Sequence, residues 1–174
     1  MTTSRTAVDL RSAADLDVAV RIGAAWRDLR RGGANTVVRD YFFGNEPGAI
    51  DSGQMDTLDV MVRQPSWRMS DLAEALRVDP STATRAVQRL LKENLAERSS
   101  DIEDGRVVLV QVTAEGRRLH RRVEERRGYV IAKLMSAFTV EERTDLANLM
   151  TRFVRELDEL VKELPTPTAP APTP

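Results

Sequence analysis

MSDLAEALRVDPSTATRAVQRLLKEN, residues 69–94, decides the fold. It reads as a short helix from Met69 to Leu76, a tight turn, and a longer helix from Pro80 to Glu93. Asp79-Pro80 is the start signal of the second helix. The Asp carboxylate accepts from free backbone N–H groups, and Pro suits the first helical position. Asn94 stands where the chain must turn left-handed to stop the helix. Two helices that cross steeply need small residues at the crossing. Ala73 fills that place in the first helix, Ala83 and Ala86 in the second, and Val87, Leu90 and Leu91 anchor the second in a core.

The other face of the second helix carries Ser81, Thr82, Arg85, Gln88, Arg89 and Lys92, with Thr84 on its flank. Arg pairs bidentately with guanine, Gln with adenine, and hydroxyls bond either bases or phosphates. These types gather in the first turns, the part of a recognition helix that reaches base edges. A free helix N-terminus also attracts phosphate. Taken alone, such a face is also that of any solvated amphipathic helix. The next segment of the chain weighs against that simpler reading. Leu95–Arg98 and Val107–Val112 are strand-like, and the polar loop Ser99–Arg106 between them holds the turn signal Asp104-Gly105. The pair is expected to form a hairpin whose Arg106 can reach a neighbouring minor groove.

Further out, Ala13 to about Arg31 carries Val18, Ile22, Ala25, Trp26 and Leu29 on one helical face and ends at Gly32-Gly33. Val37–Phe43 reads as a short helix or turn, and Gly44–Gly48 as a loop. Asp51 or Ser52 caps a helix whose Met55, Leu58, Met61 and Val62 face a core. Thr113 caps a helix to about Met135. Thr139–Glu142 matches a capping box, and from there Leu146, Met150, Phe153, Leu157, Leu160 and Leu164 form a narrow apolar seam suited to another helix. Pro165–Pro174 is Pro, Thr and Ala only, expected as a disordered end.

Composition narrows the classes. Of 174 residues, 41% are hydrophobic and 30% charged, ordinary for a helix-rich globular chain. There is no cysteine, which removes disulfides, thiolate redox sensing and cysteine-ligated zinc. No run approaches the ~18 apolar residues of a membrane span. Met1–Asp17 has no apolar signal region. A cytoplasmic protein without membrane contact is the expectation. Net charge is −1, and from Ser66 to Arg118 nine basic residues face nine acidic ones. Bulk charge therefore does not favour DNA, and a few placed side chains must do so.

The runs Met69–Leu76, Val78–Arg85, Leu90–Arg98 and Asp104–Gly116 together resemble the MarR family of bacterial winged helix-turn-helix regulators. The resemblance covers about Gln54–Gly116 by motif and Asp15–Leu164 by helix order. It implies a mainly α fold with a small β-hairpin wing. In that scheme 13–53 is an N-terminal dimerisation helix with its connection, 54–113 the DNA-binding domain, 114–164 the C-terminal dimerisation helices, and 165–174 the tail. It further implies a homodimer on a pseudo-palindromic site in double-stranded DNA, with repression the family's commoner mode. Ser81, Thr82, Thr84 and Arg85 match recognition-helix positions. Asp104 and Arg106 match the wing's Asp-x-Arg, the Asp bracing the wing and the Arg entering the minor groove. Arg68 stands where the family commonly caps with Ser or Thr, so Asp71 is left to satisfy that helix end. Arg77 replaces a frequent Gly. With Ser70, these two arginines are candidate phosphate contacts.

Family members often bind aromatic or phenolic effectors, and Trp26, Tyr41, Phe42 and Phe43 either line such a pocket or are core. His120 is the only histidine, and one imidazole without Cys or further His is a poor transition-metal site. A structural or surface role is expected of it, with no metal and no cofactor. Asp101, Glu103 and Asp104 read as solvated or arginine-paired. There is no phosphate-binding Gly-rich loop and no nucleophile with a His partner, so an enzyme is not expected. The remaining rival is a winged helix that binds protein rather than DNA.

Overall fold

The computed structural model describes residues 7–46, 49–100 and 108–164. The chain divides into two compact units, Met1–Arg127 and Gly128–Pro174. In chain order the elements are α1 (Ala13–Arg31), α2 (Gly33–Phe43), α3 (Ser52–Met61), β1 (Trp67–Arg68), α4 (Met69–Leu76), α5 (Pro80–Lys92), β2 (Ala96–Ser100), β3 (Val108–Val112), α6 (Ala114–Met135) and α7 (Val140–Glu163).

The helix pair lies where the sequence predicts it. Both of its helices stop on a non-glycine residue in the left-handed region, Arg77 at φ 56° and Asn94 at φ 57°. In each case the next residue donates back across the turn, Val78 N–H to the Ala73 carbonyl at 3.1 Å and Leu95 N–H to the Leu90 carbonyl at 2.9 Å. These bonds satisfy carbonyls that a helix end leaves orphaned. Arg77 therefore takes over the conformational work for which glycine is the usual residue.

The hairpin gains a third strand that sequence patterning does not suggest. β1 pairs antiparallel with β3, Trp67 opposite Val110 and Arg68 opposite Leu109, giving the order β1-β3-β2. Two residues are too few to show an alternating pattern. The second strand also begins one residue later than expected and runs on to Ser100. At the base of the sheet Gly116 allows a close approach. A Cβ there would sit 2.1 Å from the Leu95 carbonyl oxygen.

The core of the first unit joins α3, α4, α5, the sheet and the start of α6. Met55, Leu58, Met61, Leu72, Leu90, Val110 and Val123 are its largest fully buried side chains. Ala73 and Ala83 are buried at the helix crossing, which keeps α4 and α5 close. Trp67 is buried too, and its indole N–H donates to the Met61 carbonyl at 3.0 Å, so the polar edge of the ring is satisfied.

The stretch after α1 is more regular than its sequence suggests. α2 runs for eleven residues, which shortens the connection to α3 to a loop. Gly32 makes the break, because a Cβ there would lie 2.5 Å from the Asp28 carbonyl oxygen. Neither α1 nor α7 buries a residue within the chain. Trp26 on α1 and Met150, Phe153 and Leu160 on α7 all remain exposed. In the second unit, α7 starts with the expected capping box of Thr139 and Glu142, and Arg143 donates to the Met135 carbonyl at 2.7 Å.

Candidate nucleic-acid interface

α5 is fixed at its start by Asp79. One carboxylate oxygen accepts from the Ser81 and Thr82 backbone N–H groups at 2.9 and 3.0 Å, and from the Ser81 hydroxyl at 2.5 Å. The other accepts from the Thr82 hydroxyl at 2.6 Å. The Ser81 hydroxyl first, then that of Thr82 and the backbone donors, hold the Asp79 carboxyl well below the usual carboxylate range. The cap stays ionised at any pH near neutral.

This arrangement bears directly on the candidate contact residues. Ser81, Thr82, Thr84, Arg85, Gln88 and Arg89 are all exposed along α5. The hydroxyls of Ser81 and Thr82 are turned to Asp79, and that of Thr84 donates to the Pro80 carbonyl at 2.7 Å. Arg85 makes no hydrogen bond or ion pair among the described residues. Its guanidinium, with five donors in a planar fork, stands free on the first turns of the helix. Arg89 is held differently, by an ion pair to Asp51 at 3.5 Å.

Around α5, Arg68 occupies the N-cap of α4 without a side-chain cap bond, and the Ser70 hydroxyl donates to Asp71 at 2.8 Å. Arg77 sits in the turn between the helices. The wing is braced across its strands by Gln111, whose amide donates to Glu97 at 2.8 Å where the two residues face each other. Asp104 and Arg106, the hairpin tip around them, and the tail from Pro165 lie outside the described residues.

Three features escape sequence reading. The first is a polar join between α3 and the far end of α5. Asp51 caps α3 in a reciprocal box with Gln54, and the Gln54 amide then donates to Glu93 at 2.9 Å. The spacing of Asp51 and Gln54 carries the box signal. The reach of Gln54 to a residue 39 positions away does not show in any local pattern.

The second is a cavity of about 310 Å³ at the C-terminal end of α5. Phe42, Phe43, Ile50, Leu95 and Leu119 supply its apolar wall, and Glu46, Glu93, Glu115, Arg122 and Arg126 its polar one. Phe42 and Phe43 therefore both pack on the core and line a space, while Trp26 and Tyr41 are not among the lining residues. Arg126 is committed, donating to the Phe42 carbonyl at 3.0 Å with its guanidinium 5.9 Å from the centre of the Tyr41 ring.

The third is the setting of His120. Its Nε2 lies 3.1 Å from Asp59 Oδ1, near enough for an ion pair but not aligned for a hydrogen bond. Arg127 binds Asp59 Oδ2 at 2.7 Å and Glu124 at 2.8 Å. Burial disfavours the Arg127 charge, but hydrogen bonds to Asp59 and Glu124 outweigh it and raise its pKa. Asp59, His120 and Glu124 bring three potential metal ligands within 4.8 Å, with the guanidinium already bound to both carboxylates. The group fastens α3 to α6.

Residues 50–108 match the model of the MarR family. The HTH-type transcriptional repressor MdtR of Bacillus subtilis is 28% identical over 116 residues, 66% of this chain and 75% of that protein. Among solved structures, FabT of Streptococcus pneumoniae in complex with DNA shares the fold at a TM-score of 0.71 and 22% identity, over 82% of this chain and 99% of FabT. The PcaV regulator of Streptomyces coelicolor, solved with its natural ligand, aligns at 0.55 and 25% identity over 87% of this chain and 98% of PcaV. No helix among the described residues is long and apolar enough to cross a membrane.

Proposed function

We propose that the chain, whose residues 50–108 match the MarR family model, is a DNA-binding transcriptional regulator of that kind rather than an enzyme, and that it acts as a cytoplasmic homodimeric repressor of a pseudo-palindromic operator. The observation that carries this reading is the face of α5. Arg85 and Gln88 are exposed on a helix capped by Asp79, and Arg85 is unengaged among the described residues. Docked in a major groove, Arg85 supplies a bidentate fork for guanine and Gln88 for adenine. Arg89 joins them when Asp51 gives it up. Ser81, Thr82 and Thr84 then lie against the sugar–phosphate edge with Arg68, Ser70 and Arg77, and Arg106 enters the minor groove from a wing braced by Asp104.

The unburied faces of α1 and α7 support the same reading. The unburied apolar residues of α1 and of α7 are costly to leave in water on a lone protomer. A two-fold dimer covers such faces and sets two copies of α5 one DNA turn apart. The cavity beside Phe42 and Phe43 is the place for a small aromatic effector that releases the operator.

The test is to select DNA from a genomic library with the purified full chain and to titrate the enriched duplex. The reading expects a shared inverted repeat bound by a dimer. Failure to enrich any sequence, with a partner retained in a pull-down, gives the result to a protein-binding winged helix instead.

A further inference from the structure

The inner face of the sheet leaves the core beside α5. Ala96 pairs with Val112 and is buried, whereas Arg98, two residues further along the same face of β2, is exposed. Arg98 stands opposite Val110, which is 1% exposed, so its side chain shares the face of the sheet that packs against the helices. A cleft of about 290 Å³ lies between that face and α5. Met69, Val87, Leu91 and Val110 form its apolar floor, and Thr84, Gln88 and Arg98 its exposed rim. No carboxylate among the described residues lines it. Glu97, the neighbouring acid, is on the other face of the sheet, where it accepts from Gln111.

Arg98 makes no hydrogen bond or ion pair among the described residues. Its aliphatic stem has an apolar bed, and its guanidinium keeps five donors for an external acceptor. We propose that Arg98 is a phosphate contact, and that it grips the DNA strand passing between the wing and α5. The proposal rests on the reading of α5 as the helix in a major groove, with the wing in the adjacent minor groove. A single sugar–phosphate strand separates those two grooves of a duplex. Elements lodged in both grooves straddle that strand, and a side chain at the rim of the cleft between them faces its phosphates. A guanidinium takes a phosphate bidentately, and with no acid in the cleft its charge is free to do so.

Such a contact positions the protein and does not read sequence. Thr84 and Gln88, one turn apart on α5, share the rim with Arg98. A phosphate held by Arg98 therefore fixes how far the wing-side flank of α5 enters the groove, and with it the register of Gln88. Basic and acidic residues balance from Ser66 to Arg118, so one unpaired arginine is a large share of the attraction for DNA. Arg89, by contrast, already faces Asp51.

The experiment uses the full chain, the duplex enriched by genomic selection, and the variants Arg98→Ala and Arg98→Lys. Binding is titrated over a series of salt concentrations on that duplex and on its single-base variants. A further set of duplexes carries one phosphate at a time as an uncharged methylphosphonate. Arg98→Ala is expected to bind roughly tenfold or more weakly and to lose about one unit of salt slope per half-site. It should keep the native discrimination at every base pair. Arg98→Lys retains the charge and should retain the slope. One methylphosphonate position per half-site should weaken the native chain and leave Arg98→Ala unaffected. Thermal unfolding of both variants near the native temperature separates a lost contact from a lost fold. A native salt slope in Arg98→Ala overturns the proposal, as does lost discrimination at one base pair or a methylphosphonate profile identical in the two proteins. If no sequence is enriched, the reading of α5 fails and this contact with it. A silent Arg98 on an enriched duplex removes the contact alone.

Discussion

Asp79 holds Thr82 twice, by the backbone N–H at 3.0 Å through one carboxylate oxygen and by the hydroxyl at 2.6 Å through the other. With Ser81 bound to the same group, the first turn of α5 is organised around an acid. An ionised carboxylate at that position also favours the helix through its dipole. The consequence is a division of labour along α5. The hydroxyls build the helix start, while Arg85 stays unengaged among the described residues and Arg89 pairs with Asp51.

The first prediction concerns that acid. Its pKa is lowered in the folded state, so the stabilisation it gives is complete above the ordinary carboxylate value of 3.8 and fades only as pH falls through the lower folded value. Asp79→Ala should lower the urea midpoint by a constant amount at neutral and mildly acidic pH. The difference from the native chain should shrink below about pH 4. A difference that already fades near neutral pH would show that another group carries the effect. Asp79→Asn should retain most of the cap.

Gly116 gives the second. A methyl group there meets the backbone carbonyl oxygen of Leu95, just before β2, and the side chain of Val112 in β3. Gly116→Ala should therefore destabilise by about 1–3 kcal/mol, although Ala is the better helix former. Equilibrium denaturation measures it, and a stabilised variant would contradict the close approach.

The core supplies the third. Leu90 is fully buried on the inner face of α5, and Leu90→Ala should cost about 2–5 kcal/mol in denaturant unfolding. Loss of under about 1 kcal/mol would mean that the core is not closed around α5.

A fourth prediction tests the wing. Arg106→Ala should weaken DNA binding nearly uniformly across sequences and reduce the salt slope of log affinity by about one. An unchanged slope would remove Arg106 from the contact set.

The helix pair is legible in the sequence because every local signal agrees there. Asp79-Pro80 starts one helix, Asn94 stops it, and Ala73 and Ala83 mark the crossing. α2 is not legible. Its Asn, Thr and Val residues are indifferent helix formers, and it stands between two glycines and a loop. β1 escapes because two residues hold no period, and their pairing with Val110 and Leu109 depends on a strand more than 40 positions later. The same limit hides Gln54–Glu93 and Asp59–Arg127, whose partners are set by packing of distant helices. A structural or surface role is what the sequence assigns to His120, and the residue sits in such a pairing between α3 and α6. For the proposed interface, residue types are readable from the pattern. The engagement of Ser81 and Thr82 with Asp79, and of Arg89 with Asp51, requires coordinates.

Everything proposed for DNA recognition turns on whether Arg85 of α5 reads a base. The decisive measurement is selected-sequence binding by the native chain and by Arg85→Ala, at one fixed salt concentration, with the native operator and each single-base variant. The expected result is a loss of about 1–3 kcal/mol on the native operator, with discrimination lost at one symmetric pair of positions and kept at the others. Equal affinity of the two proteins, or a uniform loss with discrimination intact at every position, contradicts it.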